Sequence, residues 1–311
     1  MTQSADTKFS IIIVSWNTNA LTEKCLASVY EKNRTGHFEV IVVDNASSDG
    51  SPEMIKRKFP HVTLIRNEEN VGFSKANNQA IRIAQGEFIL LLNSDAELLT
   101  MDCLDELYFL FEQNKQYGIF GAVQYLPNGS IQSIGRTFQS LRQIILQQLF
   151  FPRLLTNLKQ RYKLRNRHLK TDYVDGAFLA IRKKVIDEIG LMQESFFMYG
   201  EDMEWCSRAA QAGWIVGVAA NIKILHHRGA SSKQNFKRSL VENAQNITRF
   251  ISQHQSLASA KVAYDVLLFG MALRIPLSIL RRNSLAKQYA TAFSNGLQQR
   301  RKFRKQLEAK P

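Results

Sequence analysis

The sequence has few cysteines and no cysteine pairs. Only three occur among 311 residues: Cys25, Cys103 and Cys206. Because they are far apart and odd in number, a disulfide framework and a Cys-x-x-Cys metal site are excluded, and a reducing compartment is expected. The balance of 45% hydrophobic and 22% charged residues also excludes a disordered chain, a collagen-like fibre and a coiled coil. These features indicate an ordinary globular protein.

Long apolar runs are also missing. The first run, residues 9–14, is too short for the core of a signal peptide and has no basic leader. Near the other end, residues 266–280 are interrupted by Arg274 and Pro276 and fall short of the roughly 20 residues that a membrane-spanning helix needs. We therefore predict a cytoplasmic protein that can lie on the inner face of the cell membrane without crossing it.

Negative charge is scarce. The chain has 41 Lys and Arg against 27 Asp and Glu, a formal net charge of +14, which favours an anionic partner such as nucleic acid, acidic lipid or a phosphorylated substrate. No RNA-binding aromatic signature accompanies the charge, so nucleic acid is not expected. Residues 266–282 place apolar side chains among three arginines. This pattern is typical of an interfacial helix on anionic lipid, or of a helix packed against the main domain.

The first third of the chain alternates strand and helix patterns. Ser51 is interpreted as a helix cap, followed by Pro52 at the first helical position. The alternation predicts an α/β fold with an open, mostly parallel sheet flanked by helices. The β-branched runs and the helical spacings that carry it predict strands at 9–14, 39–43, 62–65 and 88–92, and helices at 21–30, from 51 and at 74–84.

The later parts of the chain carry helical patterns and positive charge. Residues 139–158 are amphipathic, residues 161–170 form a basic run, and a further helix is predicted at 201–212. From about residue 232 the pattern is helical and increasingly basic. We therefore predict a main domain over residues 1–232 and a basic helical C-terminal extension over residues 233–311.

Polar residues follow each of the four predicted strands, at 15–17, 44–49, 67–72 and 93–95. In such sheets ligands bind beyond the carboxyl ends of the strands. Asp44 is placed to accept the ring N–H of a pyrimidine base, unless it only begins an Asp-rich turn. Asp95 is placed to bind Mg2+ or Mn2+, which prefer oxygen ligands and phosphates, unless it only ends the strand.

Two acids and two histidines stand out further along. Glu201 and Asp202 open a predicted helix, where acids complement the helix dipole or one of them acts as a general base. His226 and His227 follow an apolar segment and either bind metal or phosphate or are structural. They lack the i, i+4 spacing and the nearby cysteines of a zinc site. The sequence also has no GxGxxG, GxxxxGK[ST] or GxSxG motif, which excludes the fold signatures built on them.

Taken in order, the motifs form a specific series over about residues 8–232. They are Ile-Val-Ser-Trp-Asn17, Val-Val-Asp-Asn-Ala-Ser-Ser-Asp-Gly-Ser51, Arg-Asn-Glu-Glu-Asn-Val-Gly-Phe73, Leu-Leu-Asn-Ser-Asp95, Asp-Gly-Ala177, Phe-Phe-Met-Tyr-Gly-Glu-Asp202 and His-His-Arg-Gly-Ala-Ser231. The series resembles family 2 of the glycosyltransferases, and within it the bacterial rhamnosyltransferases that act on lipid-linked saccharides. The resemblance implies a GT-A fold, a nucleoside-diphosphate sugar donor, a divalent metal (Mg2+ or Mn2+) and inversion at the anomeric carbon.

The resemblance also implies roles for individual residues. Asp202 matches the catalytic base, with Glu201 beside it. Asp95 matches the metal-binding last residue of an Asp-x-Asp motif, and His226, or His227 in its place, matches a histidine near the metal and the diphosphate. Gly176, Ala177 and Trp205 fall on the acceptor side. The residues implied in the nucleotide-sugar site are Ser15, Asn17, Asp44, Asn70, Gly72, Asn77, Asn93 and Asp95.

Two departures qualify the match. Asn93 replaces the first carboxylate of Asp-x-Asp, which weakens the expected metal binding. Glu204 and Trp205 replace an Asp-Leu pair, which predicts an altered acceptor pocket.

The implied function is inverting transfer of rhamnose from dTDP-rhamnose to a saccharide or polyprenyl-diphosphate-linked acceptor in cell-surface polysaccharide synthesis. The alternatives are another hexosyl transfer on the same scaffold, or a non-catalytic nucleotide-sugar binder. Asn93 favours the non-catalytic alternative, whereas Asp95 and the Glu201-Asp202 pair oppose it. A nucleic-acid-binding protein would instead show tight, salt-sensitive binding to any duplex.

Overall fold

The computed structural model describes residues 7–34, 37–148, 168–227, 236–280 and 285–309. Some predictions fall partly outside the described residues. These are the end of the predicted helix at 139–158, most of the basic run at 161–170, the last four residues of the motif that ends at Ser231, and positions 281 and 282 of the interfacial pattern.

The described strands form one mixed sheet in the order β3-β2-β1-β4-β9-β6-β10-β5, with β7 paired to β6 and β8 to β10. The strands are β1 (Phe9–Ser15), β2 (Phe38–Asp44), β3 (Thr63–Arg66), β4 (Phe88–Asn93), β5 (Ala96–Leu98), β6 (Tyr117–Tyr125), β7 (Ile131–Ser133), β8 (His168–Lys170), β9 (Phe178–Arg182) and β10 (Ile215–His226). The four strands predicted from the first third are β1 to β4.

The described helices lie between these strands and after the last of them. They are α1 (Asn19–Lys32), α2 (Ser51–Lys58), α3 (Phe73–Ile81), α4 (Cys103–Gln113), α5 (Leu141–Gln148), α6 (Lys183–Ile189), α7 (Glu201–Gln211), α8 (Phe236–His254), α9 (Leu257–Leu280) and α10 (Ala286–Glu308). The predicted α/β fold with a helical C-terminal extension is therefore confirmed.

Parallel pairing is limited to part of the sheet. Strands β1 to β4 pair in parallel, and so do β6 and β10. Strand β9, however, runs antiparallel to both of its neighbours, β4 and β6, and β10 is antiparallel to β5 and β8. The prediction of a mostly parallel sheet thus describes the first four strands, whereas the whole sheet is mixed.

The register of the parallel strands aligns their carboxyl ends. Ser15 at the end of β1 pairs with Asp44 at the end of β2, and Val14 pairs with Asn93 at the end of β4. The polar residues that follow these strands therefore share one edge. The helix after β2 begins one residue earlier than predicted. Gly50, at φ +79°, is the cap, and Ser51 is the first helical residue.

The described residues divide into two compact units. The first comprises 7–34, 37–137, 168–197 and 201–227 and contains the sheet. Its core joins strands and helices in one buried cluster that includes Ile11, Leu26 and Phe111. The second comprises 138–148, 198–200, 236–280 and 285–309, and its core surrounds Tyr264. The second unit thus also takes residues from before position 232, and the predicted boundary there stays a prediction.

Helix α9 is longer than the sequence pattern indicated. It runs from Leu257 to Leu280 without a break, and by length and composition alone it could cross a membrane. The prediction that this segment is too short is wrong, because the helix begins well before residue 266. Only a third of its most apolar 18-residue window is buried, and Phe269, Ile279 and Leu280 are exposed.

Candidate functional site

Asp44 ends β2 with an unsatisfied carboxylate oxygen. Its side chain is buried, at 1% exposure. Oδ2 accepts a hydrogen bond from the Ser47 backbone N–H at 3.0 Å, whereas Oδ1 is buried without a hydrogen-bond partner among the described residues. A buried acceptor without a donor is costly and rare in folded proteins. The arrangement leaves Oδ1 able to accept a donor group from a ligand.

Asn17 joins the loops that follow β1 and β2. Its backbone lies in the left-handed region, at φ +52°. Its side-chain oxygen accepts the Ser48 N–H at 2.8 Å, and its own N–H donates to the Ser47 hydroxyl at 2.9 Å. Ser15 is fully buried, and its hydroxyl lies 3.0 Å from that of Thr22. Ser15 therefore supports these loops from inside.

Gly72 forms a tight turn before α3. Its φ is +88°, and a Cβ atom here would lie 2.7 Å from the Phe197 carbonyl oxygen, so that only glycine fits. The Asn70 side chain accepts the Gly72 N–H at 3.0 Å. Asn77 is buried and donates to the Phe73 carbonyl at 2.9 Å. Asn70 and Asn77 thus hold the turn and the first part of α3.

Asp95 and His226 are neighbours across the sheet. Strand β5 pairs antiparallel with β10, with His226 opposite Ala96. The His226 Nε2 atom lies 3.2 Å from Asp95 Oδ1, and both side chains are about nine-tenths buried. His226 Nδ1 lies 3.0 Å from the Gln132 amide nitrogen, which can only donate. Nδ1 therefore accepts this hydrogen bond, and Nε2 is the ring nitrogen that faces the Asp95 carboxylate.

His227 takes a different partner. Its Nε2 lies 2.7 Å from Glu97 Oε1, and only its backbone N–H reaches Asp95, donating to the carbonyl at 2.9 Å. Of the two histidines, His226 is therefore the one whose ring lies beside the Asp95 carboxylate. Within the described part of the chain, no three His, Cys, Asp or Glu side chains are grouped closely enough to hold a metal by themselves.

Asp202 lies in the first turn of α7 against the loop before β9. Its Oδ2 accepts the Gly176 N–H at 3.1 Å, and its Oδ1 accepts the Met203 N–H at 2.7 Å. Burial, together with the nearby Asp175 carboxylate, raises the pKa of Asp202 to about 6, against the lowering effect of these two N–H groups and of Arg136. A carboxylate with such a pKa is suited to accept a proton near neutral pH. Glu201 beside it is buried.

Arg136 and Asp175 complete this group, and the sequence analysis gave neither of them a role. The Arg136 Nε donates to Asp175 Oδ1 at 2.5 Å, while Asp175 Oδ2 is buried without a hydrogen-bond partner among the described residues. A backbone bridge between Arg136 and Tyr173 aligns the two segments. The only local signal was that Asp175 stands in the Asp-Gly-Ala177 motif, because its partner lies far away in sequence.

The acceptor-side residues divide into two groups. Gly176 binds Asp202 through its N–H, and the Ala177 carbonyl accepts the Asn93 N–H at 3.2 Å. Trp205, in contrast, is fully buried and donates its indole N–H to the Gly190 carbonyl at 3.0 Å. The assignment of Trp205 to the acceptor pocket is therefore wrong, because its ring packs in the core. Glu204 is buried and pairs with Arg208 at 2.7 Å.

A family comparison accounts for this arrangement. Residues 10–190, more than half of the chain, match the family model described as glycosyl transferase family 2. The chain belongs to glycosyl transferase family 2. This membership confirms the resemblance that the motif series indicated, and it makes glycosyl transfer the reaction class.

Two relatives whose names state a function are similar over most of the chain. An N-acetylglucosaminyl-diphospho-decaprenol L-rhamnosyltransferase of Mycobacterium tuberculosis is 22% identical over 79% of this chain and 84% of its own length. A low-salt glycan biosynthesis hexosyltransferase, Agl10 of Haloferax volcanii, is 30% identical over 70% of this chain and 67% of its own length.

A solved structure shares the fold. It is a mannosyltransferase, PcManGT of Pyrobaculum calidifontis, in complex with GDP-Man and Mn2+. Its TM-score is 0.60 at 17% identity, and the match covers 93% of this chain and 87% of that one. A likeness at this identity supports the fold alone, and it confirms the GT-A type of α/β architecture.

Proposed function

We propose that this family 2 protein is an inverting hexosyltransferase that uses a nucleoside-diphosphate sugar, with rhamnose as the preferred sugar and a lipid-linked saccharide as acceptor. The observation that carries the proposal is the Asp202 carboxylate. It is held by two backbone N–H groups beside a second carboxylate. The acceptor class is supported by the Mycobacterium relative, whose name gives a decaprenol-linked acceptor.

Donor binding is assigned to the edge where the parallel strands end. The Asp44 Oδ1 atom, which has no donor among the described residues, would accept the ring N–H of a pyrimidine base. The loops joined by Asn17 lie next to it. Asp95 and His226 lie close enough together, at 3.2 Å, to bind the same ligand.

Asp95 and His226 fit a divalent cation. Mg2+ is typically bound by one or two carboxylates together with substrate phosphates, so two protein side chains are adequate when the donor diphosphate supplies further oxygens. Mn2+ in the Pyrobaculum structure supports this assignment. When bound, Mg2+ or Mn2+ would neutralise the charge of the diphosphate leaving group. Neutral Asn93 offers one charge fewer than a carboxylate would.

Asp202 would then act as the general base. Its carboxylate takes the proton of an acceptor hydroxyl as that oxygen bonds to the anomeric carbon, and the bond from this carbon to the diphosphate breaks on the opposite face. One displacement of this kind inverts the configuration. The Gly176 and Met203 N–H groups keep the carboxylate oriented, and Asp175 Oδ2 offers a second acceptor for the hydroxyl groups of the incoming sugar.

We also propose that the second unit lies on the anionic inner face of the cell membrane. Helix α9 exposes Phe269, Ile279 and Leu280, and the C-terminal helices are rich in Lys and Arg. Apolar side chains combined with basic ones bind anionic bilayers. Co-sedimentation with vesicles tests this, with neutral phosphatidylcholine vesicles as the control. A protein that remains in solution with phosphatidylglycerol vesicles would contradict the proposal.

The sugar itself has a second candidate. The Haloferax relative, 30% identical over 70% of this chain, is named a hexosyltransferase without a particular sugar. Glucose, galactose and N-acetylhexosamine donors therefore belong in the same assay as dTDP-rhamnose.

Donor hydrolysis by the purified protein tests the function. A panel of nucleotide sugars is incubated with Mg2+ or Mn2+ and then with EDTA, because slow hydrolysis of the donor needs no acceptor. We expect metal-dependent turnover of one donor, which also identifies the sugar. No turnover, together with no thermal shift from any donor, would favour a non-catalytic nucleotide-sugar binder.

A further inference from the structure

Asn246 in α8 is buried and bonded at both ends of its side-chain amide. The side-chain nitrogen donates to the carbonyl oxygens of Met198 at 3.0 Å and Tyr199 at 2.7 Å. The side-chain oxygen accepts a hydrogen bond from Arg249 at 2.7 Å. Because arginine can only donate, this contact fixes the nitrogen toward the two carbonyls. At 2% exposure, the amide is shielded from competing water.

The segment that Asn246 holds has an unfavourable backbone. Tyr199 lies in the left-handed region at φ +70°, and Gly200 follows at φ +92°. Glycine adopts such angles freely, whereas a residue with a Cβ atom does so at a steric cost. Strained residues of this kind persist when surrounding contacts hold them, and they cluster at functional sites. Here the two hydrogen bonds from Asn246 supply that support.

The strained turn leads directly into the helix that carries the proposed base. Gly200 is followed by Glu201 and Asp202, the first two residues of α7. Upstream, the Phe197 carbonyl accepts the Phe73 N–H at 2.8 Å. The carbonyls of residues 197, 198 and 199 are therefore each bonded. A change of φ at Tyr199 would redirect the chain just before α7 begins.

We propose that Asn246 is a positioning residue for Asp202, because it holds the left-handed turn at Tyr199 from which α7 begins. The inference rests on the proposed function, since it concerns the base of that reaction. Asn246 acts through the chain and touches neither substrate nor the reacting atoms.

The main test replaces Asn246 by leucine, which keeps the volume but removes both donors, and by alanine. Asn243, exposed on the same helix, supplies the matched controls Asn243→Leu and Asn243→Ala. We expect the Asn246 variants to lose about 10- to 100-fold in kcat, since misplacement by about 1 Å can cost about 100-fold. The KM for the donor should change little, because donor binding is assigned to other residues. Equal loss in all four variants, or none, would overturn the inference.

A second substitution separates positioning from general destabilisation. Tyr199→Gly removes the steric cost of the left-handed turn, so the turn should depend less on Asn246. We expect Asn246→Leu to reduce kcat less in the Tyr199→Gly background than in the wild-type background. If the two losses simply multiply, the backbone of Tyr199 is not the route by which Asn246 acts, and the inference fails.

Hydrogen exchange provides a readout that needs no substrate. Amides in residues 198–206 should exchange faster in Asn246→Leu than in wild type, and at the wild-type rate in Asn243→Leu. Unchanged exchange of these amides would contradict the proposal that Asn246 holds the turn.

Absence of donor turnover by the wild-type protein would remove the proposed function, and this inference with it. Turnover by wild type and Asn246→Leu at the same rate would overturn the inference alone.

Discussion

Two regions of the first unit hold carboxylates in contrasting surroundings. In the strand-end region (residues 15–17, 44–51, 67–72 and 93–95), burial raises the pKa of Asp49, but hydrogen bonds from Ser51 and from backbone N–H groups outweigh it and lower the pKa. In the base region (Arg136, Asp175, Gly176, Glu201 and Asp202), Asp202 also accepts two backbone N–H groups, yet its pKa is raised.

The difference lies in the neighbours. Asp49 has a hydroxyl donor and remains near water, whereas Asp202 is desolvated and faces the Asp175 carboxylate. Hydrogen bonds to the charged form and burial act in opposite directions on a carboxyl pKa. The surroundings of Asp49 therefore stabilise its negative charge. Those of Asp202 favour a group that exchanges a proton.

The largest effect on kcat is expected from a substitution in the base region alone. Asp202→Asn should lower kcat by about 100- to 10,000-fold, the usual contribution of a general base, while donor affinity stays close to wild type. The measurements are transfer rate and the thermal shift caused by the donor. Retained transfer would refute the assignment of Asp202.

A complementary substitution in the strand-end region should weaken metal-dependent donor binding. Asp95→Ala should weaken metal-dependent donor binding by about 100-fold or more, since even outer-shell partners of metal ligands are worth about 10- to 100-fold. Titration of donor in the presence of Mn2+, with EDTA as the metal-free control, measures it. Normal affinity with metal present would count against Asp95.

A smaller loss is expected when the contact between Asp44 and the nucleotide base is weakened. Asp44→Asn removes the charge of the carboxylate and should raise the KM for the donor about 10-fold, since a hydrogen bond to a charged group is worth about 1.5–3 kcal/mol. The value of kcat should change little. A variant in which kcat falls while the donor KM stays constant would place Asp44 outside the nucleotide site.

The smallest expected effect is a shift in the pH dependence of kcat/KM, which compares the two regions further. The base acts when deprotonated, so kcat/KM should rise with pH through an apparent pKa of about 6. Asp175→Asn removes the charge that raises this pKa, and should shift the acid limb to lower pH. Arg136→Gln removes a charge that lowers it, and should shift the limb to higher pH.

Two other titratable groups near Asp202 do not interfere with this test. Burial raises the pKa of both Tyr173 and Cys206, so both remain uncharged over the range of the acid limb. Shifts in the same direction for the two variants would exclude control of Asp202 by Asp175 and Arg136. The pH dependence of donor binding alone serves as the control.

The two regions also differ in what their sequences reveal. Strands β1 to β4 were predicted because a buried strand has a local β-branched signature, and each strand end is marked by polar residues. The antiparallel position of β9 was not predicted, because strand pairing joins residues that are distant in sequence. The same reason hid the Arg136–Asp175 pair. Asn246 had no signature at all, since it bonds to backbone carbonyls.

Local patterns also gave two errors with physical causes. Trp205 lies three residues after Asp202, close to it on the helix surface, but its ring is fully buried and its indole N–H is bonded to the Gly190 carbonyl. The start of α9 went unnoticed because it is rich in small and polar residues such as Ala258 and Ser259, which do not extend an apolar run. Neither error affects the residues assigned to the reaction.

The pairing of β5 with β10 has a consequence for biosynthesis. Asp95 emerges from the ribosome early, but its partner His226 ends the last strand of the sheet. Contacts between residues so distant in sequence form late, because a long loop must close first. Nascent chains that end before His226 therefore lack half of the proposed cation site. In the cell, tight cation binding would begin only when synthesis of the sheet is complete. Only chains whose first unit has been fully synthesised would then bind the cation tightly.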